Sequence, residues 1–133
     1  MKLRFMRIGV TIEAITDVDI MKMNSVLLDG ECAAIGISVS GRTEAVIHSL
    51  QSAKKCGAAV ILMTSHIEKK FQNFCDEIML FAVKANLEKG KAISPQFPIL
   101  VMVDIIYSRM LRMDDFRRET LHEYTLEVLE RDS

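Results

Sequence analysis

Two runs of this chain are apolar almost without interruption, Cys32 to Ile37 (CAAIGI) and Ala58 to Thr64 (AAVILMT). Alternating polarity would mark a strand with one wet face. An unbroken apolar run of this length marks a strand expected to be buried on both faces. Between the two runs lie a polar loop and a segment, Thr43 to Cys56, in which Val46, Ile47, Leu50 and Ala53 recur at helical spacing. Lys54 and Lys55 complement the negative end of that helix, and Gly57 closes it. A strand, a helix and a second strand in this order form a βαβ unit, which requires a parallel sheet. The expected class is therefore α/β.

The rest of the chain continues the alternation. Lys2 to Ile8 reads as the last turns of a helix stopped by Gly9, and Val10 to Ile15 as a strand. Thr16-Asp17 supplies an N-cap for a helix whose apolar face holds Ile20, Met21, Met23, Val26 and Leu27. His66 to Phe74 reads as a short amphipathic helix with Ile67, Phe71 and Phe74 on one side, and Glu77 to Phe81 as a short strand. Ala82 to Ile93 reads as a loop. Ser94-Pro95 then opens a helix running to about Met113, with Pro98 still in its first turn. A final helix from Asp114 or Asp115 to about Arg131 is expected to turn Leu121, Tyr124, Val128 and Leu129 inward. Met21, Met23, Met63 and Met79 sit in apolar patterns and read as core. Asp104, set among apolar neighbours, needs a partner such as Arg109 or a helix N-terminus.

Composition removes several functions. With 133 residues the chain has the length of one domain, residues 1–133, and with half of them hydrophobic it can bury one core. A net charge of −1 argues against holding nucleic acid, whose phosphates demand a basic face. The longest apolar runs are far too short to span a bilayer, and no signal peptide is visible, so no membrane partner is expected. Cys32, Cys56 and Cys75 are odd in number, widely spaced and free of any CxxC pair. They read as buried free thiols in a reducing cytoplasm, and neither a metal site nor a cofactor is expected.

Chemistry is expected at the polar loop Ser38-Val39-Ser40-Gly41-Arg42-Thr43. In open parallel sheets ligands bind beyond the carboxyl ends of the strands. Gly41 lets backbone approach a ligand closely. The first amides of the following helix lack internal acceptors and attract an anion, aided by the helix dipole. Ser38, Ser40 and Thr43 add three hydroxyls, a set suited to a phosphate monoester. The plainer reading makes Ser40 an N-cap with Thr43 at N3. Three hydroxyls around a glycine, directly after a buried strand, favour the anion site. Thr64-Ser65-His66 is a second polar strand end, and Ser65 falls beside the loop if the two strands are neighbours. His66 is a candidate ligand contact or acid–base group, set against the plainer reading of a solvent-facing residue at a helix start. His48 and His122 lie on helices away from the strand ends and read as structural.

The run CAAIGISVSGRTEAVIHSLQSAKKCGAAVILMT, Cys32 to Thr64, resembles the centre of a sugar isomerase (SIS) domain: an apolar strand, S-x-S-G-x-T, a helix ending in A-K-x-x-G-A, and a second apolar strand. The likeness is nearest to the SIS domain of RpiR-type transcriptional regulators. Segments like AITD before this run and DEIMLFA after it, together with FPILVMVDIIYSRML and its Asp104, extend the resemblance over roughly Gly9 to Met113. The resemblance implies a doubly wound parallel sheet flanked by helices, here without the family's first strand and its glycine–serine loop. It implies phosphosugar binding and assembly into dimers or tetramers. Ser38, Ser40 and Thr43 match the family's phosphate-binding hydroxyls, with Val39 and Gly41 contributing backbone, and Ser65 lies near by position.

Arg42 stands where many isomerase relatives have Glu, and His66, Glu44 and Glu68 are the remaining candidate bases, none within a motif. The resemblance therefore implies the sensor domain of a regulator, reaching DNA only through a helix-turn-helix domain absent from this sequence. The alternatives are an aldose–ketose phosphate isomerase and a degenerate SIS domain that serves only for assembly.

Overall fold

The computed structural model describes residues 2–82, 96–113 and 115–131, which fall into two compact units, Ile15–Ile99 and Met1–Ala14 with Leu100–Ser133. The expected loop from Ala82 and the Ser94-Pro95 helix start lie almost wholly outside the described residues.

Helix α1 is Lys2–Arg7, and the first helix of the larger unit is α2, Val18–Ser25. Asp17 caps α2, its Oδ1 accepting from the amides of Asp19 (3.0 Å) and Ile20 (2.9 Å), as its residue type at that place requires. Three parallel strands follow, β1 (Ala33–Ile37), β2 (Ala59–Thr64) and β3 (Glu77–Leu80), in the spatial order β1-β2-β3. Helix α3 (Glu44–Lys55) makes the crossover between β1 and β2. In register, Ala33 faces Ala59 and Ile37 faces Met63, while Ile61 faces Glu77 and Thr64 faces Leu80. The parallel α/β architecture is as expected.

The core forms where α3 lies on the sheet. Val46, Ile47, Leu50 and Ala53 of α3 pack with Ala58, Val60, Leu62, Phe71 and Phe74. Gly36 permits this contact, because a Cβ there would stand 2.6 Å from Leu50 Cδ1 and 2.9 Å from Val46 Cγ1. Asp76 ties the far edge together. One carboxylate oxygen accepts from the Val60 amide (2.8 Å) and the other pairs with Lys54.

In the smaller unit, Phe5 of α1 meets Tyr107 edge to face, with ring centroids 5.4 Å apart. Tyr107 belongs to α4 (Gln96–Met113), and α5 (Asp115–Arg131) follows directly. Gly9 ends the turn after α1 with φ +75°, and a Cβ there would stand 3.2 Å from Leu121.

Several expectations fail in instructive ways. Val10 to Ile15 forms no strand, since β-branched residues confer the capacity for a ladder and only a partner realises it. β1 is not buried on both faces: Ile35 and Ile37, opposite the α3 side, keep 39% and 40% of their surface. β1 is the edge of the described sheet, so its apolar run records a capacity for burial that this face does not use. On α2, Met21 packs on the core while Ile20 and Met23 stay exposed, and Val26 and Leu27 lie beyond the end of the helix and are exposed too. His66 to Phe74 is not an α-helix but a 3₁₀ turn over Lys69–Asn73, with Phe71 and Phe74 buried and Ile67 outside. A 3₁₀ helix serves in short pieces such as this, and the tighter turn suffices to seat Phe71. On α5, Tyr124, Val128 and Leu129 are exposed. Met63 is buried as expected, and Met23 is not. Cys56 is exposed, and Cys32 and Cys75 are only partly covered. Asp104 is itself exposed and pairs with Arg4, not Arg109.

Candidate functional site

The β1–β2 pairing brings two polar strand ends side by side. The ladder runs one step beyond β1, with the Ser38 amide donating to the Met63 carbonyl (3.0 Å). The chain then turns sharply, and the Gly41 amide returns to the Ser38 carbonyl (3.0 Å). Gly41 has φ +68°, a left-handed conformation that disfavours any side chain. A Cβ there would also stand 2.8 Å from Phe71 Cζ and 3.2 Å from Thr64 Oγ1. Glycine is therefore required twice, by the backbone and by the buried ring beneath it.

The turn delivers the chain to α3 with its N-terminus unfilled. Thr43 occupies the N-cap position, but its side chain makes no capping bond. The first intrahelical bond runs from the Ile47 amide to the Thr43 carbonyl (3.0 Å), so the amides of Glu44, Ala45 and Val46 precede the ladder. Thr43 Oγ1 instead accepts from Ser38 Oγ (2.9 Å), and Ser38 is 2% exposed. The chain of donors runs outward: the Ser38 proton goes to Thr43, which leaves the Thr43 proton for a partner beyond. Ser40 is exposed, and its Oγ accepts from the Arg42 amide (3.2 Å). The arrangement differs from the plain capping pattern, in which Ser40 would close the helix and Thr43 sit inside it.

The second strand end holds the loop from the side. The Val39 carbonyl accepts from the Ser65 amide (3.0 Å), Ser65 Oγ (2.6 Å) and Thr64 Oγ1 (3.3 Å). A trans peptide points its carbonyl and the next N–H in opposite directions. With the Val39 carbonyl turned onto β2, the Ser40 amide faces away from β2. Ser65 thus stands against the loop, as the neighbouring strands require, and acts on it through the Val39 carbonyl.

Arg42 of the loop belongs to a small group of charges. Arg42 is exposed, with Nε 3.9 Å from Glu68 Oε1, while Lys70 Nζ is 2.7 Å from Glu68 Oε2. The hydrogen bond from Lys70 holds the Glu68 carboxyl below the ordinary carboxylate range, against a smaller opposing effect of burial, with the Lys70, Arg42 and His66 charges helping. That is the wrong direction for a base working near neutral pH. Glu44 lies exposed in the first turn of α3, where a carboxylate complements the helix dipole. No cluster of His, Cys, Asp or Glu able to hold a metal occurs among the described residues. None of their helices is long and apolar enough to cross a membrane.

Sequence reasoning placed the loop and Ser65 together and the structure joins them. It did not find Phe71 and Thr64 beneath Gly41, or the Glu68–Lys70 pair. Thr64, a hydroxyl ending an otherwise apolar strand, was the available signal.

The chain is similar to known proteins along most of its length. A family model described as SIS domain matches residues 1–103. An uncharacterised HTH-type transcriptional regulator of Haemophilus influenzae is 26% identical over 128 residues, 96% of this chain and 44% of that protein. The HTH-type transcriptional regulator RpiR of Escherichia coli K12 is 27% identical over 111 residues, 84% of this chain and 38% of that protein. The chain thus spans less than half the length of these relatives. Among solved structures, the Vibrio vulnificus NanR protein complexed with ManNAc-6P superposes with a TM-score of 0.80 at 21% identity, covering 98% of this chain and 49% of NanR. A hypothetical protein of Methanococcus jannaschii, whose structure was used to infer a 3-hexulose-6-phosphate isomerase function, gives 0.59 at 19% identity, over 92% of this chain and 66% of that one. These likenesses carry the fold.

Proposed function

Because the chain belongs to the SIS-domain family, whose model matches residues 1–103, we propose that residues 1–133 are a phosphosugar-sensing module of an RpiR-type regulator. The observation that carries this is the uncapped start of α3. The amides of Glu44, Ala45 and Val46 open the helix without a side-chain cap, and Ser40 and Thr43 stand exposed in the turn before them, beside a glycine that cannot carry a side chain. A phosphate monoester supplies the several acceptor oxygens such a set requires, and the helix dipole favours its charge. Val39 and Gly41 contribute backbone, Ser38 orients Thr43, and Ser65 fixes the Val39 peptide. Similarity to HTH-type regulators, and to a regulator solved with a sugar phosphate, supports the sensor reading.

Among the described residues, two of the candidate bases, Glu68 and Glu44, are poorly fitted to isomerisation. Arg42 is a permanent cation, the Glu68 carboxyl is held low by Lys70, and Glu44 is exposed at a helix start. DNA contact belongs to a helix-turn-helix domain elsewhere in the regulator. Exposed Val101 and Ile105, about one turn apart on α4, give the module an apolar strip for self-association into dimers or tetramers.

The test is a thermal-shift panel of fructose, glucosamine, ribulose and arabinose phosphates and N-acetylmannosamine 6-phosphate, with chromatographic detection of turnover on the same samples. Stabilisation by at least one of these without turnover is expected. Turnover abolished by His66→Ala would make the protein an enzyme.

A further inference from the structure

The hydrogen bonds around Ser65 fix the protonation pattern of His66. The Ser65 hydroxyl has a single proton, and it lies 2.6 Å from the Val39 carbonyl, which can only accept. His66 Nδ1 is 2.8 Å from the same Ser65 oxygen. Since the proton of Ser65 is already committed, Nδ1 must supply the hydrogen of this second bond. Nδ1 is also 3.5 Å from the Val39 carbonyl, again an acceptor. Both neighbours therefore demand N–H at Nδ1, and neutral His66 must carry its lone pair on Nε2. The His66 amide donates to Thr64 Oγ1 (3.3 Å), so backbone and ring are both referenced to the same strand end.

The ring is exposed, and its anchor is the carbonyl of Val39, the residue before the anion-facing Ser40 amide. His66 thus borders the loop on the carbonyl side of the Val39–Ser40 peptide and does not line its amide cradle. An imidazole with Nε2 free accepts a hydrogen bond from a hydroxyl or an amide N–H, groups that a sugar phosphate carries beside its phosphate and inorganic phosphate does not carry on carbon. The charged groups Arg42, Glu68 and Lys70 are engaged with one another.

We propose that His66, held in the Nδ1–H form by Ser65 and the Val39 carbonyl, reads the sugar portion of the ligand through Nε2, while Ser65 acts as its positioning residue. The inference rests on the phosphosugar reading of the loop and names the group that distinguishes a sugar phosphate from a bare phosphate.

The test uses the full chain. Long-range proton–nitrogen NMR of the free protein reports the His66 tautomer, and calorimetry compares inorganic phosphate with N-acetylmannosamine 6-phosphate, fructose 6-phosphate and glucosamine 6-phosphate. The expected spectrum shows Nδ1 protonated, with Ser65→Ala admitting the Nε2–H form. His66→Ala is expected to reduce the ratio of sugar-phosphate to inorganic-phosphate affinity about fivefold or more, the loss of one ligand hydrogen bond. His66→Gln, whose side-chain carbonyl can reach the position of Nε2, should restore part of it. An Nε2–H tautomer in the wild type, an unchanged ratio in His66→Ala, or sugar phosphates that bind no better than inorganic phosphate would each overturn the proposal. Absence of inorganic-phosphate shifts at the Ser40–Val46 amides would instead overturn the underlying reading of the loop.

Discussion

Ser38 Oγ donates to Thr43 Oγ1 across 2.9 Å, linking the end of β1 to the start of α3. Ser38 is buried, so it acts on whatever occupies the loop through the threonine. A hydroxyl that accepts one hydrogen bond becomes a better donor in the next. In the proposed site the pair would act as a short relay, and each member has a distinct mutational signature.

Thr43→Val keeps the shape and removes both the outward donor and the acceptor for Ser38. Affinity for a sugar phosphate should fall by about 1–3 kcal/mol, and Thr43→Ser should keep most of it. Ser40→Ala should cost a similar amount if its hydroxyl donates to a charged oxygen. Calorimetry on the three variants checks this, and unchanged affinity in both Thr43→Val and Ser40→Ala would remove the hydroxyls from the site.

Gly41→Ala should destabilise the protein by about 1–3 kcal/mol, the cost of a side chain at a strained backbone position. The added Cβ at φ +68° meets the Phe71 ring, which is fully buried and cannot move away freely. Urea denaturation measures the loss, and anion binding should weaken with it because the turn sets the direction of the Ser40 amide. A stable variant with intact binding would mean the loop tolerates a different turn.

The carboxyl of Asp76 is held below its ordinary value of 3.8, chiefly by its hydrogen bond with Lys54 and next by the Val60 amide. A depressed folded-state value contributes stability that is fully present above the unfolded value and is lost as pH falls through the folded one. Stability should therefore decline below about pH 4, and Asp76→Asn should be less stable at neutral pH with a shallower acid limb. Denaturation midpoints from pH 2 to 7 for both proteins give the comparison; parallel curves would exclude Asp76 as the source.

Burial, reinforced by the adjacent Asp76 charge, raises the Cys75 thiol to about 11. At neutral pH it is almost wholly protonated, while Cys56 is exposed at the end of α3. Limited alkylation read by mass spectrometry should label Cys56 first and Cys75 last. Prior labelling of Cys75 would show that β3 opens readily.

Much of this architecture was legible because it depends on local chemistry. Asp17 caps α2, Gly9 and Gly57 end helical turns at positive φ, and the spacing of Val46, Ile47, Leu50 and Ala53 gives the buried face of α3. The Ser38–Thr43 loop and the nearness of Ser65 followed from two apolar strands that had to pair in parallel. What depends on distant partners was not legible. Val10 to Ile15 has strand-forming residues and no ladder, and Ile35 and Ile37 belong to a strand whose second face stays open. Asp104 pairs with Arg4, 100 residues away along the chain, and not with Arg109. In the site itself, three hydroxyls were visible as types, but only geometry distinguishes the buried Ser38, which orients, from Thr43, which faces out.

The central claim is that the open start of α3 holds a phosphate group. Amide NMR of the full chain titrated with inorganic phosphate, and then with N-acetylmannosamine 6-phosphate, tests it most directly. The account predicts saturable shifts concentrated at Ser40 to Val46, largest at Ser40 and in the first turn of α3, and diminished in Thr43→Val. Shifts clustered elsewhere with this loop silent, or no saturable response to either compound, would contradict it.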